Sequence, residues 1–148
     1  NITLYTEECS IVSWQNVTYT KDLLTKAGIV PDSVTIFGDH NRAEKLQGFS
    51  TVAFNTDIAV PDSARELLAK GVNYTTVQFM GYDFGDSAYS EAERNAAFAV
   101  EIAGATDAQL GNVILQKRID DWTKRFGYNV ADNLVAKGCS QYAGFTGL

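Results

Sequence analysis

Apolar residues recur along this chain in two rhythms, a period of two that predicts strands and a period of 3.6 that predicts helices. Residues 11–17 are rich in β-forming side chains and give a first strand. Residues 19–27 follow with helical spacing, with Leu23, Leu24 and Ala27 on the inner side and Gly28 as the stop. Val30-Pro31-Asp32-Ser33 turns the chain into a second strand, residues 34–37, which stops at Gly38-Asp39-His40-Asn41. A polar link, residues 39–50, leads to a third strand over 51–56, where Val52 and Phe54 alternate with smaller or polar neighbours. Val60-Pro61-Asp62-Ser63 repeats the earlier turn, and Ser63 and Glu66 have capping-box spacing for a helix through Lys70 that Gly71 closes. Residues 74–80 supply a fourth strand with Val77 and Phe79 on one face.

These elements are duplicated. Leu23-Leu24-Thr25-Lys26-Ala27-Gly28 is matched by Leu67-Leu68-Ala69-Lys70-Gly71 at an offset of 44 residues, and each copy runs on into an alternating strand. The order βαββαβ predicts an α+β fold, a ferredoxin-like sandwich with two helices on one face of a four-stranded antiparallel sheet. A parallel α/β sheet is the competing arrangement. The short link between the second and third strands favours a hairpin, because a parallel return needs a crossover of about a dozen residues or more.

The last third is helical. Ser90-Glu91-Ala92-Glu93 and Thr106-Asp107-Ala108-Gln109 both have capping-box spacing, and the helices they open run to near Gly104 and Gly127. A third helix spans residues 130–137 before Gly138. In the longest of these, Leu110, Val113 and Ile114 lie about 150° from Leu115, Ile119, Trp122 and Phe126 at ~100° per residue. Such a helix meets two partners or bends near Gly111. The whole reads as one domain, residues 1–148, with a duplicated core at 11–81 and a helical extension at 88–138 that wraps it. The extension would cover the open sheet face carrying Trp14, Phe37 and Met80; a homodimer through that face is the alternative.

Length and charge narrow the function classes. A chain of 148 residues suits a single core, and no run approaches the ~18 apolar residues of a membrane span. Net charge is −6 and the basic residues are scattered, which argues against nucleic acid as partner. Cys9 and Cys139 lie near opposite ends, an even count that predicts one disulfide tying them together. Asn1-Ile2-Thr3, Asn16-Val17-Thr18 and Asn73-Tyr74-Thr75 are glycosylation sequons at Asn1, Asn16 and Asn73. With a start at Asn1 in place of methionine, which leads to the expectation of a removed leader, these features point to a secreted glycoprotein.

Candidate chemistry is sparse. His40, the single histidine, sits between Asp39 and Asn41, and Asp83 and Asp86 hold the corresponding place after the fourth strand. A general-base or metal site joining Asp39, His40, Asp83 and Asp86 would need these two loops to meet. In a ferredoxin-like sheet the second and fourth strands are opposite edges about 14 Å apart, which argues against it. No phosphate-binding glycine loop, nucleophile elbow, zinc spacing or calcium loop is present, so no cofactor and no metal is expected. Tyr82, Phe84 and Tyr89 cluster in one acidic loop and form the candidate recognition surface. The sequence therefore points to a secreted, toxin- or effector-like protein that acts by binding a host, competitor or partner protein. A small-substrate enzyme or ligand-binding protein of the dimeric α+β barrel type, anchored by His40 or Asp83, is the alternative.

Overall fold

The computed structural model describes residues 1–56, 76–82 and 90–145. Its first element is α1 (Ser13–Lys26), so the β-forming residues 11–17 enter a helix instead of a strand. Burial decides this against propensity: Ile11, Val12, Trp14 and Val17 are all buried, with Trp14, Val17 and Lys21 recurring on one helical face. Val12 caps α1 without a side-chain bond, and the preceding N–H groups are held by side chains instead. Glu7 accepts from the Cys9 and Ser10 N–H groups, and Gln15 Oε1 accepts from Ile11 N–H at 2.9 Å.

Next come β1 (Ser33–Asp39), a 3₁₀ turn (His40–Arg42) and α2 (Ala43–Thr56). The expected third strand, residues 51–56, is thus the last part of a helix. Leu46, Phe49, Ser50 and Phe54 fall at i, i+3, i+4 and i+8 and are buried or half-buried, so the period of 3.6 overrides the local alternation at residues 52–54. β2 (Thr76–Tyr82) pairs with β1 in parallel, in register from Ser33↔Thr76 to Asp39↔Tyr82. The antiparallel ferredoxin-like sandwich is therefore overturned: among the described residues the chain is a mostly helical α+β protein with a two-stranded parallel sheet. Its cause lies in α2. Once residues 43–56 are helical, no hairpin follows β1, and the chain from Asp39 to Thr76 far exceeds the dozen or so residues a parallel return needs. The helix expected over 63–70 lies outside the described residues.

α3 (Glu91–Thr106), α4 (Ala108–Phe126), α5 (Val130–Ala136) and a 3₁₀ turn (Ser140–Phe145) are the remaining described elements. Ser90 and Glu93 form the expected capping box on α3. At α4 the cap is Asp107, one residue later than expected, accepting from Gln109 and Leu110 N–H groups. That single residue joins two helices at a tight corner. A Cβ at Gly111 would lie 2.6 Å from the Gly104 carbonyl oxygen, so this glycine is needed for close helix approach, whereas one at Gly104 would lie 2.5 Å from the movable end of the Ile114 side chain. α4 runs unbroken through Gly111 and buries one face only, with Leu115 and Ile119 inside and Leu110 and Val113 exposed.

The core lies among helices. Ile11, Val12, Trp14, Leu115, Ile119, Val130, Ala131, Leu134, Cys139 and Tyr142 pack together, joining α1, α4, α5 and the last turn. Trp14 belongs to this core and not to the sheet face expected for it. The helical extension consequently packs on α1 and leaves Phe37 and Met80 exposed. α2 bridges the two regions. It meets α1 through Lys21, whose ammonium donates to the Ala53 carbonyl and lies 5.9 Å from the Phe54 ring centroid. It meets α3 through a T-shaped Phe49–Phe98 pair at 5.7 Å and a Lys45–Glu101 ion pair at 2.9 Å.

Candidate functional site

Parallel pairing brings the carboxyl ends of β1 and β2 to the same end of the sheet. Asp39 stands opposite Tyr82, one strand spacing of about 4.8 Å away, where an antiparallel sandwich would have set these ends three spacings apart. In open α/β sheets this end is where ligands collect. The approach is close: a Cβ at Gly81 would lie 3.1 Å from both Cα and Cβ of His40, so the glycine lets the His40 backbone cross over the end of β2.

Asp39 is committed to local structure. Its Oδ1 caps the 3₁₀ turn by accepting from Asn41 N–H at 2.9 Å and from Asn41 Nδ2 at 3.0 Å, and His40 Nδ1 lies 3.7 Å away. The Asn41 backbone N–H above all, followed by the Asn41 amide, His40 and Arg42, holds the Asp39 carboxyl below its ordinary value against an opposing desolvation. An ionised, capping carboxylate is a poor proton donor near neutral pH, so Asp39 can anchor a positive group or orient His40. The His40 side chain is 52% exposed. Among the described residues no cluster of three or more His, Cys, Asp or Glu could hold a metal ion. Asp83, Asp86, Phe84 and Tyr89 lie outside the described residues, as does Asn73.

Cys9 and Cys139 form the expected disulfide, with Cα atoms 5.6 Å apart and no free thiol left in the chain. Around it lies a buried polar network that spacing could not have revealed. The Tyr142 hydroxyl bonds the Cys9 carbonyl and Gln15 Oε1, the second at 3.0 Å, and Gln15 Nε2 donates to the Tyr19 hydroxyl at 2.9 Å. Burial, chiefly, and then Tyr19 push the Tyr142 hydroxyl well above the ordinary tyrosine range. Asn1 and Asn16 are exposed, and Asn16 Oδ1 accepts from Ser10 Oγ at 2.5 Å.

Two exposed surfaces stand out, the first on the open sheet face expected to carry Phe37 and Met80 and the second not expected as a surface. Phe37 and Met80 sit side by side in register on the outer face of the sheet, 69% and 48% exposed, while Val34, Ile36, Val77 and Phe79 are half-buried on the other face. On α4, Arg118 lies over Trp122 at i, i+4, Trp122 meets Phe126 at a tilt of 59°, and Phe126 stacks on Tyr128; that spacing was a readable signal. A shallow groove of about 480 Å³ lies between α4 and the last turn, lined by Asn112, Val113, Gln116, Gln141, Gly144 and Phe145. None of these side chains is an acid, base or nucleophile. Among the described residues no helix is long and apolar enough to cross a membrane. Comparison with protein-family models, curated proteins and solved structures finds no match, so the reading of this site rests on its own geometry.

Proposed function

We propose that this chain is a secreted, non-enzymatic protein that acts by binding another protein, a host, competitor or partner molecule, through the outer sheet face and the segment after β2. One observation carries the reading: Phe37 and Met80, two large apolar side chains paired across neighbouring strands, are left in water. Paired exposed apolar residues have the composition of an interface centre, where a few such anchors carry most of the binding energy. Tyr82 closes β2 directly after this pair, and Phe84 and Tyr89 follow in the chain. The disulfide supports an oxidising compartment, and the sequons at Asn1 and Asn16 are on exposed residues.

A small-ligand reading keeps one observation of its own, the meeting of Asp39 and His40 with the end of β2. The dimeric barrel it was first attached to required an antiparallel sheet and goes with that sheet.

Affinity capture with the natively secreted protein as bait, alongside Phe37→Asp and Tyr82→Ala, tests the proposal. Capture of one protein by the native bait, lost in both folded variants, is the expected result. Undiminished capture by both variants would remove this surface from the function, and turnover of a small molecule abolished by His40→Ala would replace the binding reading with an enzymatic one.

A further inference from the structure

The acceptor sequence Asn16-Val17-Thr18, a motif that marks surface loops in secreted proteins, lies here inside helix α1. The Asn16 N–H donates to the Val12 carbonyl at 3.3 Å, and its carbonyl accepts from Thr20 Oγ1 at 2.6 Å. The Thr18 hydroxyl donates back to the Trp14 carbonyl at 3.1 Å, and Val17 between them is buried. Backbone and hydroxyl of the acceptor are therefore committed to the helix. The Asn16 amide is divided: Oδ1 accepts from Ser10 Oγ at 2.5 Å, whereas Nδ2, the atom that bears the sugar in an N-linked glycan, meets no protein acceptor among the described residues.

We propose that Asn16 Nδ2 carries an N-linked glycan that is added only before α1 folds, an inference that rests on the secretory reading above. In the transfer step Nδ2 attacks the anomeric carbon of a lipid-linked oligosaccharide. The C–N bond forms as the anomeric C–O bond breaks, the lipid pyrophosphate leaves, and the amide gives up one proton. A transferase has to draw the acceptor into its own cleft with the threonine hydroxyl free. A helix that ties Thr18 back to Trp14 and buries Val17 in the protein interior does not present the acceptor in that form. The order of synthesis supplies the interval. Ile11, Val12 and Trp14 share their buried cluster with residues from Leu115 to Tyr142, which are made last. A helix of 14 residues is marginal without such packing, so the acceptor stays open until the far end of the chain arrives and Cys9 meets Cys139. The finished fold has room for the product, because Asn16 is exposed and a sugar on Nδ2 leaves Oδ1 bonded to Ser10.

Transfer to the unglycosylated full chain by a purified oligosaccharyltransferase with its lipid-linked oligosaccharide tests the proposal, with occupancy of Asn16 read by peptide mass spectrometry. The disulfide-bonded protein is compared with the reduced, alkylated chain, checked as unfolded by circular dichroism, and a peptide of residues 14–20 reports enzyme activity. Asn16 should be modified in the peptide and the unfolded chain. In the native protein transfer should be at least about 100-fold slower, since on the order of a thousandth or less of a folded protein is open at any time. Thr18→Ala should abolish transfer to the unfolded chain. The Asn16 glycoform, reoxidised, should recover the native circular dichroism spectrum with a Tm no lower than that of the bare protein. Equal rates in native and unfolded chains would overturn the order of events, and no transfer to the unfolded chain, or a glycoform that does not refold, would overturn the site. Protein from a eukaryotic secretory host with Asn16 bare would also overturn the site, while leaving the secretory reading intact.

Discussion

Replacing both cysteines, Cys9→Ala/Cys139→Ala, removes a cross-link across a sequence separation of 130 residues. In the chain-entropy treatment a loop of that length restricts the unfolded chain by about 5 kcal/mol. The folded state should change little, because the Tyr142 hydroxyl still bonds the Cys9 carbonyl and Ile11 and Val12 stay buried in the core. The effect is thus mainly on the unfolded ensemble, and ~5 kcal/mol is its upper bound. With an unfolding entropy of about 2.1 cal/mol/K per residue, that loss corresponds to a fall in Tm of roughly 15 °C for a chain of this size. Urea unfolding followed by tryptophan fluorescence, with Trp14 buried as reporter, and thermal circular dichroism would measure it. The urea slope should rise as well, since an uncross-linked unfolded chain exposes more surface. A loss under about 1 kcal/mol, or a fall in Tm of only ~3 °C, would refute the claim that the bond acts by restraining the unfolded chain.

Tyr142→Phe takes the hydroxyl donor from the Cys9 carbonyl, while Gln15 Oε1 keeps the Ile11 N–H, and should cost about 1–3 kcal/mol in urea unfolding. Because burial raises the Tyr142 hydroxyl in the folded state, the unfolded chain loses this proton first, so stability should decline as pH rises above the ordinary tyrosine value of about 10. Urea midpoints at pH 8 and 11 should show that decline in the native protein and a smaller one in Tyr142→Phe; equal declines would contradict it. Gly111→Ala places a methyl within 2.6 Å of the Gly104 carbonyl oxygen and should destabilise by about 1–3 kcal/mol, whereas a neutral variant would mean a looser corner; Gly104→Ala meets the movable end of the Ile114 side chain and should cost less. Ser90→Ala breaks the capping box of α3 at a cost of about 1 kcal/mol by thermal unfolding. On the acid side, the Ser90 backbone N–H above all holds the Glu93 carboxyl below its ordinary value, so native stability should fall as pH drops below that value, and because Ser90→Ala keeps this N–H most of that decline should persist in the variant.

Three helix ends and the C-terminal helices were legible, whereas α1 begins at Ser13 and not near residue 19, and α2 was not expected. Gly28, Gly127 and Gly138 follow helices as the sequence indicated, all with positive φ, and the three C-terminal helices lie close to their expected spans. β1 and β2 were also legible from alternation. Residues 11–17 and 51–56 were not, because Trp14, Val17 and Phe54 are buried on helical faces that only tertiary packing selects. From those two misreadings came the antiparallel sheet, and from the sheet came the separation of Asp39 and His40 from the end of β2. The disulfide was legible because only two cysteines exist. The Gln15–Tyr142 network was not, since its partners are 127 residues apart and no local spacing marks them.

The claim that Phe37 and Met80 anchor a protein partner is tested most directly by measuring the affinity of the captured partner for native protein and for Phe37→Asp. A charge at an interface centre should cost 2 kcal/mol or more, about a 30-fold loss of affinity, in a variant whose thermal melt is unchanged. A partner bound with undiminished affinity by the folded Phe37→Asp protein would contradict the account.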